Sequence, residues 1–139
     1  MEQRLSLVTL GVRDVAAAKA FYERLGWKCG NDHPEVAFFQ LGGTIFGLWN
    51  TDMLADDAKL PRERAAFSGV SLAYNGRDKE EVDGVFAQAV EAGAKALKTP
   101  EETFWGGYSG YFSDPDGHVW EVAWNPQWRI AADGSVHLQ

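Results

Sequence analysis

Apolar residues recur along this chain with two periods, and the order of these periods repeats once. From Asp14 to Gly26, and again from Asp78 to Gly93, apolar side chains stand three or four residues apart, as on one face of an α-helix. The segments around each helix alternate polar and apolar residues, or run apolar for a few positions, between glycine-rich turns. Each half of the chain is therefore predicted to form a β-α-β-β-β module.

Local signals mark the ends of these elements. The aspartate before each helix is suited to an N-cap, and Glu81 follows Asp78 at the spacing of a capping box. The glycine after each helix suits the left-handed residue that ends it. Gly42-Gly43 and "SDPDG" separate pairs of strand-like segments, "VAFFQL" from "TIFGLWN" and "GYSGYF" from "HVWEVAW", so each pair is predicted to be a hairpin.

The predicted fold class is α+β, a single domain over residues 1–139 in which two modules form a cup-shaped, partly closed mixed sheet with the helices on its outer face. The charged segment between the modules has room for one short helix. The last residues form either a closing hairpin or a tail. The predicted order is first module, linker, second module and C-terminal tail: residues 1–50, 51–66, 67–126 and 127–139.

Composition narrows the class of protein. Hydrophobic residues make up 45% and aromatic residues 13% of the 139, enough for a globular core. The formal charge of −7 argues against nucleic acid as a partner, because such binding depends on basic contacts to phosphate. No apolar run approaches the length of a membrane span, so no membrane partner is expected. The single Cys29 fits a reducing compartment, and the predicted location is the cytoplasm.

The segments "VTLGVRDVAAAKAFYERLGW" and "GYFSDPDGHVWEVAWNP" resemble the vicinal oxygen chelate superfamily, which includes glyoxalase I, extradiol dioxygenases and the fosfomycin and bleomycin resistance proteins. Together with the repeated plan, this resemblance covers nearly the whole chain. It implies that the paired modules curl their sheets into a cup that holds the site, and that the protein is a homodimer. Pairing of modules within one chain and pairing by exchange across a dimer are both consistent with it.

The resemblance also implies metal ligands on the first and last strands of each module. Aligning Leu10 with Leu72 places Leu7 at the first-strand histidine position and Gly69 at its counterpart in the second module. Neither residue has a donor side chain.

On the last strands, superposing Trp49-Asn50 on Trp124-Asn125 puts Phe46 opposite Glu121. Only Glu121 keeps a ligand among the four positions. A tight site needs three or four donors, so no cofactor is expected, and a divalent metal is retained only as the alternative.

Other donors do not complete a site in the sequence. His118 lies an odd number of residues before Glu121, so the two side chains are predicted on opposite faces of a strand, with His118 structural. His33 lies in a turn-like loop and His137 near the end of the chain. Cys29 is interpreted as a small residue on a strand. The sequence has none of the metal-binding or nucleophile motifs with established spacing.

Strand alternation predicts which side chains face the ligand. Glu121, Val119 and Ala123 share one face of the last strand, and Gly110 is placed roughly opposite Glu121, leaving room for a bound group or another backbone. By the superposition above, Phe46 and Leu48 face the cup. Glycine-flanked rings are interpreted as an edge that covers a ligand, or alternatively as core or dimer contacts: Trp105, Tyr108 and Tyr111.

Three functions are consistent with these residues. The leading hypothesis is a protein that binds a small aromatic or amphipathic molecule, with cationic ligands favoured by the acidic composition, and without a tightly held metal. The alternative is a lyase, isomerase or dioxygenase that uses Glu121 as an acid or base, with or without a metal. The third is a subunit whose cup is filled by its own side chains, with Glu121 a structural carboxylate.

Overall fold

A computed structural model describes residues 6–31, 33–63, 67–68 and 70–137 of the chain. The chain divides into two compact units, residues 1–68 and 69–139, and each is a small α+β module. Across the described residues, no helix combines the length and the apolar character that crossing a membrane requires. The predicted fold class, α+β with two β-α-β-β-β modules, is confirmed.

Unit 1 contains an open three-stranded sheet with the strand order β1-β3-β2, in which β1 runs parallel and β2 antiparallel to β3. Cys29 makes only an isolated bridge to Phe39, so the first strand after the helix is reduced to one residue. The elements of unit 1 are β1 Leu7–Val12, α1 Val15–Arg24, β2 Val36–Leu41, β3 Thr44–Asn50 and α2 Thr51–Asp57.

Both predicted ends of α1 are confirmed, and the linker contains the expected short helix. Asp14 caps α1, because its carboxylate accepts a hydrogen bond from the Ala17 amide at 3.0 Å. Gly26 follows α1 with φ of 91°, a left-handed conformation that favours glycine. The α2 helix begins after Asn50, whose side chain accepts from the amides of the next turn.

One face of the unit 1 sheet packs against α1 through a cluster of aromatic rings. Tyr22 lies at the centre, with ring centroids of Trp27, Phe39 and Phe46 between 4.9 and 6.1 Å away. Phe21 packs edge-on against Tyr22 at 5.0 Å. These rings form the core of unit 1. We call the opposite face of the sheet the open face of unit 1.

Unit 2 contains an open four-stranded sheet with the order β4-β7-β6-β5 and a separate two-stranded hairpin. Strand β4 runs parallel to β7, and the other neighbours are antiparallel. Of the two alternatives for the last residues, a closing hairpin or a tail, the structure shows the hairpin, in which β8 pairs with β9. The elements of unit 2 are β4 Ser71–Asn75, α3 Lys79–Ala92, β5 Lys95–Glu102, β6 Tyr108–Ser113, β7 Val119–Trp124, β8 Arg129–Ile130 and β9 Val136–His137.

Helix α3 begins and ends as predicted and covers one face of the unit 2 sheet. The Asp78 carboxylate accepts a hydrogen bond from the Glu81 amide at 2.8 Å, and Gly93 ends the helix with φ of 113°. The buried side chains of this helix and of the middle strands form the core: Val82, Phe86, Ala89, Phe112, Trp120 and Val122. We call the sheet face opposite α3 the open face of unit 2.

The predicted position of Gly110 opposite Glu121 is wrong by one residue, and the β5 backbone fills the space beside this glycine. In the sheet register Gly110 pairs with Val122, and Glu121 pairs with Tyr111. A Cβ at Gly110 would lie 2.8 Å from the Pro100 nitrogen, because the β5 backbone shifts its register beside it. Gly110 therefore makes room for another backbone and leaves no room for a group bound beside Glu121.

Candidate functional site

The open face of unit 2 presents Glu121 among small side chains. The predicted alternation along β7 is correct, because Trp120 and Val122 are buried against the α3 side while Glu121 is only half-buried. Small residues flank Glu121 on its own and the neighbouring strands, in positions fixed by the register: Ala73, Ser71, Ser109, Ala123 and Val119. Apart from Tyr111, the residues beside this carboxylate in the register are therefore small.

Tyr111 is the partner of Glu121 on this face. The two residues are directly opposite in the β6–β7 register. Burial, then the charge of Glu121 and the hydrogen bond to it, raise the pKa of Tyr111 above its usual range. Tyr111 therefore stays a neutral donor at ordinary pH, and the Glu121 carboxylate accepts its hydrogen bond. This pair offers a ligand one anionic and one hydroxyl group.

Phe46 packs on the α1 side of the sheet, which corrects its predicted orientation towards the cup. Phe46 is 2% exposed, and its ring packs against Tyr22 at 4.9 Å and Trp27 at 5.2 Å on the α1 side. Leu48 is wholly buried and lies two residues further along the same strand, so it shares this face. Both residues belong to the core of unit 1, and Leu48 also lines the hollow described below.

The error came from superposing the two "WN" pairs. Gly11 and Ala73 are equivalent positions in the sequence repeat, and the sheet register pairs Gly11 with Trp49 and Ala73 with Glu121. Trp49, and not Phe46, is therefore the counterpart of Glu121. The ligand position of the first module still has no donor oxygen, but its replacement is an indole on the open face.

The open face of unit 1 contains a hollow of about 370 Å³. Phe38 and Leu7 converge above Gly47, where a Cβ would lie 3.1 Å from the Phe38 ring and 3.3 Å from the Leu7 side chain. Asp57 of α2 is the one charged residue among the described residues around it. The lining is otherwise mainly apolar and comprises Leu7, Thr9, Val36, Phe38, Leu48, Trp49 and Leu54.

Sequence reasoning missed this hollow, although a signal was present. Strict alternation along "VAFFQL" places Val36 and Phe38 on one face, with Phe39 on the other. The same rule places Leu7 and Thr9 together on β1. With Trp49 also assigned to this face, alternation would have predicted an apolar wall on the open face of unit 1.

Two of the three predicted edge rings are engaged elsewhere. Tyr108 lies on the α3 side, where its hydroxyl donates to the Asp83 carboxylate at 2.9 Å, and it is therefore not beside Glu121. Trp105 is 39% exposed in the turn between β5 and β6, and its ring lies directly over Gly107, where a Cβ would collide with it. Only Tyr111 of the three lies on the open face of unit 2.

The described residues do not fit a metal ion. Among them, no three His, Cys, Asp or Glu side chains lie close enough together to hold one. His118 is placed by the turn at Asp114, whose carboxylate accepts from the His118 amide at 2.9 Å. Gly69 lies outside the described residues, but glycine has no side-chain donor, and Leu7 and Trp49 supply none either.

Three comparisons identify the relatives of this chain. The family model described as Glyoxalase/Bleomycin resistance protein/Dioxygenase superfamily matches residues 4–122. A crystal structure of a glyoxalase-related enzyme from Fulvimarina pelagi is 36% identical with a TM-score of 0.90, and the match covers 99% of both chains. The metallothiol transferase FosB of Shouchella clausii (strain KSM-K16) is 29% identical over 126 residues, 88% of this chain and 80% of that protein.

More distant structures share the fold. Hypothetical protein SA1046 of S. aureus superposes with a TM-score of 0.78 at 24% identity, over 90% of this chain and 95% of that chain. The family model over residues 4–122 and the 36% identical structure establish the family. The chain belongs to the glyoxalase/bleomycin resistance protein/dioxygenase superfamily.

Proposed function

We propose that this protein binds a small aromatic or amphipathic molecule in the hollow of unit 1, without a tightly held metal ion. The observation that carries the proposal is the hollow itself, about 370 Å³ in volume with two aromatic rings in its wall. This volume lies within the usual range for sites that bind small organic molecules, which are largely apolar with a few polar groups.

The charge at the hollow favours a cationic head group on the ligand. Asp57 lines the rim on α2, and no lysine, arginine or histidine is found among the described lining residues. Thr9 adds one hydroxyl, which can donate or accept a hydrogen bond. An aromatic amine satisfies these conditions, because its ring can pack against Trp49 and Phe38 while its ammonium group pairs with Asp57.

Side chains at the expected ligand positions support a site without a tightly held metal ion. The name of the related FosB protein describes a metallothiol transferase, which suggests metal chemistry for relatives. In this chain Leu7, Trp49 and Gly69 stand at three of the four expected ligand positions, and one carboxylate cannot fix a divalent metal. We therefore assign Glu121 no role as part of a metal centre.

Nuclear magnetic resonance of the six tryptophan indole N–H groups tests the proposal, because one of them, Trp49, lines the hollow. Single Trp→Phe variants assign the signals. Titration with 2-naphthylmethylamine in the presence of a chelator should shift the Trp49 signal, with saturation below millimolar concentration. A Trp49 signal that stays fixed at millimolar concentration would contradict the proposal.

Replacing Asp57 tests the cationic part of the ligand. Asp57→Asn should weaken binding of the amine by about two- to fivefold, the usual range for an exposed ion pair. Glu91→Gln removes one negative charge from an exposed position on α3 in unit 2 and serves as the matched control, with unchanged affinity expected. Equal weakening in both variants would show that only the net charge matters, and would remove Asp57 from the site.

An enzyme that uses Glu121 as an acid or base is the second candidate, supported by the Glu121–Tyr111 pair on the open face of unit 2. A half-buried carboxylate beside a neutral hydroxyl can accept a proton while the hydroxyl holds a substrate oxygen. Glu121→Gln should abolish any turnover found among lyase, isomerase and dioxygenase substrates, and should also lower the pKa of Tyr111. An unchanged rate would remove Glu121 from the mechanism.

We also propose that the protein is a homodimer and that it is located in the cytoplasm. Family resemblance supports the homodimer, and the single Cys29 supports a reducing compartment. Light scattering after size exclusion measures the mass in solution directly. A monomer at micromolar concentration would contradict the homodimer and leave the ligand proposal standing.

A further inference from the structure

A second concave site lies in unit 2, at the junction of the sheet with the C-terminal hairpin. This open groove has a volume of about 490 Å³. Trp124 ends β7 on the α3 side of the sheet, where the Lys79 ammonium lies 5.4 Å from its ring centroid. This groove is therefore on the face opposite Glu121. Its lining comprises Arg77, Trp124, Asn125, Pro126, Trp128, Arg129 and Ile130.

A short hydrogen-bonded turn holds the groove in shape. The Asn125 carbonyl accepts from the Trp128 amide at 3.1 Å, and the Asn125 side chain accepts from the Gln127 amide at 3.0 Å. The chain then enters β8, where Arg129 pairs with His137 in the hairpin register. This turn carries Trp128 and Arg129 beside the end of β7, so two indoles and a guanidinium border one groove.

The charge of the groove is opposite to that of the whole chain. Arg77 and Arg129 both line it, and no carboxylate is found among its described lining residues, although the chain carries a net charge of −7. Arg77 is paired with Glu81 at 3.4 Å and is still about half exposed. Within the described part of the chain, the Arg129 guanidinium makes no hydrogen bond or ion pair.

Trp128 adds an aromatic surface to the groove, because its ring is 41% exposed beside these arginines. Exposed rings next to arginines suit planar anions, which stack on an indole while an anionic group accepts the forked guanidinium donors. A cationic ligand, which we propose for unit 1, would be repelled here. The groove therefore selects the opposite charge.

We propose that this groove is a second ligand site that binds a planar aromatic carboxylate. Trp128 and Trp124 contact the ring, and Arg129 and Arg77 bind the carboxylate group. The proposal does not depend on the hollow of unit 1, because the two sites lie in different units, contain different tryptophans and take ligands of opposite charge.

The test uses 2-naphthoate as the probe and the indole signals as the reporter. The signals of Trp124 and Trp128 should shift and saturate, while that of Trp49 stays fixed. Cyclohexanecarboxylate, which has the charge without the ring, and 2-naphthylmethylamine, which has the ring with the opposite charge, should each bind at least threefold more weakly to this groove. Equal response to the amine would overturn the proposal.

Substitutions separate the two parts of the site. Arg129→Gln should weaken naphthoate binding by about fivefold, as expected for an exposed ion pair, and Trp128→Leu by about threefold or more. Arg24→Gln, an exposed arginine on α1 of unit 1, is the matched control and should leave the affinity unchanged. Raising the salt to about 1 M, where the screening length is about 3 Å, should also weaken naphthoate binding to the parent protein, because it screens the attraction between the carboxylate and the arginines.

Unchanged signals elsewhere in the spectrum show that a variant is folded, so a loss of naphthoate binding can be assigned to the substituted side chain. If naphthoate leaves Trp124 and Trp128 unmoved at millimolar concentration, the site does not exist. If binding persists at full strength in Arg129→Gln and a second variant, Arg77→Gln, the arginines do not bind the carboxylate. If Trp49 alone moves, the probe occupies the hollow of unit 1 and this proposal fails separately.

Discussion

At the scale of single residues, Glu81 is the most connected carboxylate at the start of α3. It accepts hydrogen bonds from the Tyr74 hydroxyl at 2.5 Å and from the Arg77 amide at 2.7 Å. The capping-box spacing from Asp78 predicted that Glu81 would reach back across the helix start, and it does so one residue further, to Arg77. The spacing was visible in the sequence, but the second partner, Tyr74, was not.

This constellation predicts late ionisation of Tyr74. Burial, then the hydrogen bond to Glu81 and its charge, raise the pKa of Tyr74 to about 12. Burial opposes ionisation of Glu81, but the Tyr74 hydroxyl, the Arg77 amide and the Arg77 charge outweigh it and lower the pKa of Glu81. Ultraviolet difference titration should show tyrosine ionisation near pH 12, and Tyr74→Phe should reduce the absorbance change there by that of one tyrosine.

The sign of the linked stability follows from the raised pKa. Tyr74 is protonated in both states below about pH 10, its value in the unfolded chain, so its contribution to the free energy of unfolding is complete there. That contribution is lost as pH rises from about 10 to about 12. Glu81→Gln should move the pKa of Tyr74 down. Ionisation of Tyr74 near pH 10 in the folded protein, as in the unfolded chain, would contradict this account.

At the scale of elements, the strands and helices were predictable because each has a local signal. Helix caps, glycine turns and apolar periods lie within a few residues of one another, and they placed α1, α3 and both hairpins correctly. Pairing between strands has no such local signal. The register of β3 depends on contacts with β1 from a distant part of the sequence, so Phe46 and Trp49 were assigned to the wrong faces.

The bulge in β5 predicts opposite effects for two glycine substitutions. Gly110→Ala should lower the free energy of unfolding by about 1–3 kcal/mol, because the added methyl meets backbone atoms of Lys98 and Pro100 that cannot move aside. Gly84→Ala should raise it by about 0.5–1 kcal/mol, because that position lies within α3 with open space around it.

Urea unfolding of both variants beside the parent measures these differences. The pair is matched, since each adds one methyl group to unit 2. A Gly110→Ala variant as stable as the parent would mean that the bulge yields easily and that glycine is not required there.

At the scale of the whole molecule, the family and the fold could be predicted from two motifs and a repeat, and the comparisons agree. The candidate site could be predicted only in part. Alternation along β7 predicted the face of Glu121, and Tyr111 was named as a glycine-flanked ring, but their pairing across β6 and β7 was not predicted. The hollow of unit 1 and the groove of unit 2 were not, because each depends on a long-range register or on the course of the last residues.

The range of electrostatic interactions explains why ligands of opposite charge can be proposed for one acidic chain. The net charge of −7 acts at long range and is screened beyond about 10 Å at ordinary salt. Selection within a site depends on the nearest groups, Asp57 in the hollow and Arg129 in the groove. The whole-chain charge therefore argues against nucleic acid more strongly than against a small anion.

The central claim, that the protein holds a small organic ligand without a tightly bound metal, is tested most directly by one titration carried out twice. The Trp49 indole signal is followed against 2-naphthylmethylamine, first with a chelator and then after loading with zinc, iron, manganese or nickel and desalting. We predict saturable binding with the same affinity in both samples and no metal retained after desalting. Binding that appears only in the metal-loaded sample, with stoichiometric metal that Glu121→Ala removes, would contradict the account.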